Sequence, residues 1–164
     1  MLMQNEDSLS GRELVDVSTV AQKNPLRRIL VVDDDPDTRQ LSVDVLVNSD
    51  FEVDAVADGA DAWDALRAKH FDLVITDNKM PRMTGLELIE KLRYTRLPLP
   101  VIMATNQLPN LEFERKPWLL PEATLQRPFS SNDLLVTVKK VLRTDDIDSN
   151  HTEKLFPKYP WERL

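Results

Sequence analysis

The sequence predicts an α/β fold, a doubly wound five-stranded parallel sheet with helices on both faces. Apolar, β-branched runs of strand length stand at 29–32, 73–76 and 99–104. Apolar positions at helical spacing separate them, and proline or capping residues mark the junctions. Right-handed crossovers between parallel strands then leave a three-layer sandwich as the natural topology.

Each element has its own justification. Ile29-Leu30-Val31-Val32 is apolar without alternation, as suits a strand covered on both sides. It runs into Asp33-Asp34-Asp35-Pro36, where the proline fits the first turn of a helix. Leu41, Val45 and Leu46 recur at helical spacing and are expected to face inward. Residues 51–56 alternate as a second strand, although no glycine marks the turn before them. Asp58 is placed to cap a second helix carrying Ala62, Trp63, Ala65 and Leu66 towards the core. Leu73-Val74-Ile75-Thr76 forms a third strand, followed by a loop from Asp77 to Gly85. Leu86, Leu88, Ile89 and Leu92 mark the third helix, and residues 99–104 the fourth strand.

The next stretch breaks the rhythm. Pro109, Pro117 and Pro121 leave room for a fourth helix of only about two turns, short or irregular. Trp118-Leu119-Leu120, between two prolines, is expected to pack on the sheet rather than to form a regular helical turn. Trp118 itself is read either as core or as an exposed docking knob. Ala123-Thr124-Leu125-Gln126 makes a weaker fifth strand. Ser130, with Asp133 three residues on, caps a last helix bearing Leu134, Leu135, Val138, Val141 and Leu142.

Composition narrows the function. The 164-residue chain has 21 basic and 28 acidic residues, a net charge of −7 that disfavours direct nucleic-acid binding. It has no cysteine and two histidines, which excludes thiolate chemistry and disfavours a multi-histidine metal site. With three glycines and no glycine-rich phosphate motif, a nucleotide loop is excluded. No apolar run reaches membrane length and no signal pattern opens the chain, so a soluble, cytoplasmic protein is expected.

In open parallel sheets ligands gather at the carboxyl ends of the strands. Those ends carry Asp33, Asp34 and Asp35 after the first strand and Asp77 after the third. Thr105 follows the fourth strand and Arg127 the fifth. Clustered carboxylates call for a hard cation, and Mg2+ with oxygen ligands fits. A carboxylate beside that ion can act as a nucleophile toward phosphorus, with a hydroxyl and a fixed cation on the phosphoryl oxygens.

The run 29–36, then 72–85 (Asp-Leu-Val-Ile-Thr-Asp-Asn-Lys-Met-Pro-Arg-Met-Thr-Gly), resembles the receiver domain of two-component response regulators. Pro100-Val-Ile-Met-Ala-Thr105 and Arg127-Pro128-Phe129 continue the resemblance in family order. It covers about 28–143 and implies a stand-alone, CheY-like receiver with flavodoxin-like strand order 2-1-3-4-5. A receiver domain is expected over 26–143, between a polar extension, 1–25, and an acidic, aromatic tail, 144–164, with no room for an output domain. By position, Asp77 matches the phosphoacceptor, and Asp33 and Asp34 match the acidic pair that organises Mg2+. The backbone carbonyl of Lys79 matches a main-chain metal ligand, and Thr105 the hydroxyl switch residue. The implied activity is acceptance of a phosphoryl group from a histidine kinase or a histidine phosphotransfer protein, with self-dephosphorylation rather than enzymatic turnover. Output through protein contact with a further partner is implied, and the oligomeric state stays open between a monomer and a weak homodimer.

Two departures bear on the mechanism. Arg127 stands where the family has lysine, exchanging a compact ammonium for a planar fork. Thr124 stands where the family has an aromatic switch residue. Arg127 is therefore read two ways: it binds the phosphoryl group, or it pairs permanently with Asp77 and leaves an unphosphorylated pseudo-receiver that works by binding alone. Lys79 is solvated or reaches the phosphoryl group in the missing lysine's stead. A phosphohydrolase using Asp33 as nucleophile and Asp35 as acid/base is the remaining alternative, weakened by Asp37 where that motif has threonine or valine.

Overall fold

The structure is a computed structural model that describes residues 25–148, with side chains to 143. The polar extension, apart from residue 25, and most of the acidic, aromatic tail lie outside the described residues. Among the described residues there are five strands: β1 (Arg28–Val32), β2 (Glu52–Val56), β3 (Leu73–Thr76), β4 (Val101–Thr105) and β5 (Ala123–Gln126). Five helices alternate with them: α1 (Pro36–Val47), α2 (Gly59–Ala68), α3 (Gly85–Tyr94), α4 (Asn110–Arg115) and α5 (Ser131–Asp148). All strand pairs are parallel and the order is β2-β1-β3-β4-β5, the flavodoxin-like order expected.

The three central strands bury both faces, and alternate residues supply two separate cores. Leu30, Val32, Val74, Val101 and Met103 meet Ala62 of α2, Leu88, Ile89 and Leu92 of α3, and Phe113 of α4. Ile29, Val31, Leu73, Ile75, Ile102 and Ala104 meet Leu46 of α1 and Leu134, Val138 and Val141 of α5. Each fully buried leucine or isoleucine contributes roughly 1.5–3 kcal/mol, so both layers hold the sheet. Trp63 and Leu66 pack against the first core, as expected. Leu41 does not: it is 60% exposed, because Leu46 and the partly buried Val45 already fill the face of α1 turned to the sheet.

The helix starts are built as the capping residues predict. Asp35 caps α1 and accepts from the Asp37 N–H, with Pro36 in the first turn. Asp58 accepts from the N–H groups of Ala60 and Asp61 at the start of α2. Thr84 and Glu87 form a reciprocal capping box on α3, and Ser130 and Asp133 form one on α5. The turn after α1 manages without glycine because Asp50 takes the left-handed conformation (φ 65°), which aspartate tolerates better than most residues.

β4 ends one residue later than expected, at Thr105, and α4 is a six-residue helix. Pro117, Trp118 and Leu119 do form a helical turn, a 3-10 turn, contrary to expectation. Proline in its first position costs no hydrogen bond there, and the turn drives Leu119 into the first core while leaving Trp118 and Leu120 outside.

Candidate phosphoacceptor site

The site lies where β1, β3, β4 and β5 end. Asp33 follows β1, and its N–H donates to the Val56 carbonyl of β2 (3.1 Å). Asp77 follows β3, and its N–H donates to the Val32 carbonyl (3.0 Å). Ladder-like bonds thus continue one residue beyond each strand and fix both carboxylates against the sheet edge. Asp33 is 2% exposed and Asp77 7%, whereas Asp34 faces solvent. One carboxylate oxygen from each of the three lies within 4.8 Å of the others.

The Asp77 carboxylate accepts from the Asn78 N–H (2.6 Å) and, at longer range, from the Lys79 N–H (3.4 Å). The Lys79 side chain is exposed. Asn78 also ties the loop back on itself: its carbonyl accepts from the Gly85 N–H and its side-chain oxygen from the Leu86 N–H, both at 3.0 Å. Gly85 has no space for a side chain, since a Cβ there would run into the Asp77 carbonyl oxygen.

Thr105 and Arg127 arrive together, because the Arg127 N–H donates to the Thr105 carbonyl (3.1 Å). The Thr105 hydroxyl is buried and sits 3.4 Å from the backbone of Gln107. Arg127 reaches into the acidic cluster and pairs with the expected Asp77 at long range, with Asp33 as a second, closer partner. Its Nη2 donates to Asp33 Oδ2, while its Nη1 stands 3.7 Å from Asp77 Oδ2. The planar fork spans the two carboxylates, and its length carries it past Asp77 to the more buried group. Arg127 Nε is buried and has no partner among the described residues. Burial pushes the Asp33 carboxyl above its ordinary range, although Arg127 and the Asp35 N–H pull the other way.

The loop between β3 and α3 holds a set of contacts that motif reading passed over. Arg82, at φ 61°, donates from Nε to Asp58 (2.6 Å) and pairs through Nη2 with Asp61 (2.7 Å). The Gly59 N–H donates to the Met83 carbonyl (3.2 Å) in the same place. The loop is therefore clamped to the start of α2. The signal was present as Asp58-Gly59, but nothing in the sequence spacing connects it to Arg82.

Among known proteins, the family model for the response regulator receiver domain matches residues 29–139. The chain belongs to that family. The receiver is 35% identical over 104 residues to the sensor histidine kinase RcsC of Escherichia coli, covering 63% of this chain and 11% of the kinase. It spans about half the length of the response regulators among its relatives, 50% to 54%. Among solved structures it is similar to chemotaxis protein CheY4 of Vibrio cholerae, at TM-score 0.65 and 29% identity, over 71% of this chain and 98% of that one. It is similar also to response regulator TrrA of Thermotoga maritima in complex with Mg2+ and BeF, at TM-score 0.62 and 29% identity, over 71% and 99%. Receiver domains of two-component systems are phosphoacceptors, generally on an aspartate, and bind Mg2+ at their acidic pocket. Asp35, the acid/base group of the phosphohydrolase alternative, is engaged as the cap of α1.

Proposed function

We propose that this receiver accepts a phosphoryl group on Asp77 from a phosphohistidine of a histidine kinase or phosphotransfer protein. The observation that carries the reading is the convergence of Asp33, Asp34 and Asp77 on one rim with Thr105 and Arg127 beside them. An Asp77 oxygen attacks phosphorus in line, the P–N bond breaks, and the imidazole leaves with its electron pair and takes up a proton. The product is an acyl phosphate, whose later hydrolysis restores the carboxylate.

Three carboxylates in reach of one another are a hard oxygen set, which fits Mg2+. Asp33, Asp34, Asp77 and the Lys79 carbonyl would hold the ion, with Asp34 the more direct ligand of the acidic pair. Its chemistry there is neutralisation of the phosphoryl charge and orientation of the group in line. The Thr105 hydroxyl then donates to a phosphoryl oxygen, and Arg127 neutralises another. A groove of about 350 Å3 between α1 and the start of α5 opens beside Arg127, lined by Asp35, Thr38, Leu41, Asn106, Pro128 and Phe129.

The proposed unit is a receiver domain over 26–143 flanked by 1–25 and 144–164, acting through protein contact. Its residue type at position 124, exposed threonine, favours an output that does not use an aromatic switch at that place. The bond from Arg127 to Asp33 favours a second reading, a pseudo-receiver in which the cation permanently replaces the metal.

Intact-protein mass after incubation with acetyl phosphate and Mg2+ separates them. A gain of one phosphoryl mass, lost without Mg2+ and lost in Asp77→Asn, is expected of the acceptor. No gain with acetyl phosphate, and none with a panel of phosphorylated histidine phosphotransfer proteins, would establish the pseudo-receiver.

A further inference from the structure

We infer that Arg82 is a positioning residue for the metal: by tying the loop between β3 and α3 to the start of α2, it holds the Lys79 carbonyl where a divalent cation needs it. The inference rests on the acceptor reading and its metal ligands. It gives an exposed side chain outside the pocket a part in loading the site.

The Arg82 guanidinium bridges two carboxylates at the start of α2. Its Nε donates to Asp58 Oδ2 (2.6 Å), and its Nη2 pairs with that same oxygen and with Asp61 Oδ1 (2.7 Å). Asp58 is a rigid anchor, because it is buried and already accepts from the Ala60 and Asp61 N–H groups. The main chain adds to the attachment: the Gly59 N–H donates to the Met83 carbonyl (3.2 Å), and a Cβ at Gly59 would run into that oxygen. Arg82 itself stands at φ 61°, with the Met83 N–H donating back to the Pro81 carbonyl across it (2.7 Å). A residue with a Cβ is disfavoured in that conformation and keeps it where its surroundings over-determine it, as this bridge does.

The strained turn matters because of what shares its loop. The Lys79 N–H faces the Asp77 carboxylate (3.4 Å), and the Lys79 carbonyl is the main-chain member of the proposed ligand set. Asn78 pins one end of the loop through the N–H groups of Gly85 and Leu86, and Met80 anchors it to the first core. The Arg82 bridge sets its position against α2. A cation that binds the ordered loop loses apparent affinity in proportion to the molecules whose loop has left that position.

Charge alone predicts the reverse. Removing a cation from the neighbourhood of an acidic pocket strengthens its attraction for a divalent ion. The two accounts therefore differ in the sign of the effect.

Titration of the full chain with Mg2+ near neutral pH, followed by backbone amide NMR of Asn78 and Lys79, tests the inference. Arg82→Ala is expected to raise the Mg2+ dissociation constant about threefold to fivefold, the scale of one lost ion-pair attachment. Asp61→Asn, which leaves the Asp58 cap in place, is expected to act comparably, and the double variant no more strongly than either alone. Arg82→Lys, which keeps the charge without the fork, should fall between wild type and Arg82→Ala. At saturating Mg2+ the initial rate of labelling by acetyl phosphate should be unchanged in Arg82→Ala, since the acceptor itself is untouched. A loss of stability alone would leave the Mg2+ constant of the folded protein where it was. Unchanged or tighter Mg2+ binding in Arg82→Ala, additive effects of the two substitutions, or a labelling rate that falls even at saturating Mg2+ overturns the inference. No labelling of wild type, with the Mg2+ constants shifted as expected, overturns the acceptor reading and supports the positioning role. Absence of Mg2+ binding in wild type overturns the inference together with the metal assignment.

Discussion

Gly85 has the least room of any described glycine, with the backbone of Asp77 and Asn78 filling the space a side chain would take. Gly85→Ala must push the acceptor's own backbone, so we expect a loss of stability of about 1–3 kcal/mol by urea denaturation, as for overpacking generally. The phosphorylation yield should fall in the same variant. Asp58 is a second sensitive residue, because it caps α2 and binds Arg82. Removing a cap costs roughly 0.5–2 kcal/mol, whereas an exposed ion pair contributes about 0–1 kcal/mol. Asp58→Ala should therefore shift the denaturation midpoint clearly more than Arg82→Ala. Both residues show what the sequence discloses and what it hides. Asp58 was legible as a cap, because capping is decided within three residues. The bonds from Arg82 to Asp58 and from Arg127 to Asp33 span 24 and 94 positions and exist only once the sheet has brought its edges together.

At the scale of elements, the strands and the helix starts follow from local patterns, unbroken apolar runs for strands buried on both sides and a reciprocal capping pair for α5, whereas the strand order was implied by the family resemblance. The connection between β4 and β5 was less legible. Prolines announce where a helix stops, but whether three residues between them turn or extend depends on what their side chains can reach. Leu119 reaches the core and is 1% exposed, while Trp118 is 41% exposed. Leu119→Ala should cost about 2–5 kcal/mol in chemical denaturation, the range for emptying a leucine site in a core. Trp118→Ala should stay within about 0.5 kcal/mol of wild type. A comparable loss at both positions would mean that the 3-10 turn packs by its other face. Leu41 failed for a related reason: helical periodicity identifies a stripe, and the sheet selects only part of it.

For the whole molecule, acid stability follows from where the carboxylates sit. Hydrogen bonds from helix-start groups hold Asp35, Glu87 and Asp133 below their ordinary values; at Asp58 burial opposes them but the N–H groups and Arg82 prevail. These groups take up protons at higher pH when unfolded than when folded. The stability they supply is complete above about pH 4 and is lost as pH falls through their lower folded values. Asp33 has the opposite sign: its raised folded value favours the folded state as pH drops, and offsets part of the loss. Four groups outweigh one, so thermal midpoints measured from pH 6 down to pH 3 should decline, most steeply below pH 4. A flat profile would show that the caps do not persist in solution.

Arg93 and Glu122 give the molecule one further property. Glu122 accepts the Val101 N–H (2.6 Å) and pairs with Arg93 (2.9 Å), which also reaches the carbonyls of Leu99 and Leu120 (both 3.4 Å). The start of β5 is thereby pinned to β4 and to the end of α3 by side chains, independently of the path the chain takes through α4. Such a fixture makes that path a place for changes in chain length. Extra residues inserted after Arg115 should lengthen a surface excursion without altering the register of the fifth strand, a tolerance that a strand aligned only by its preceding helix would lack.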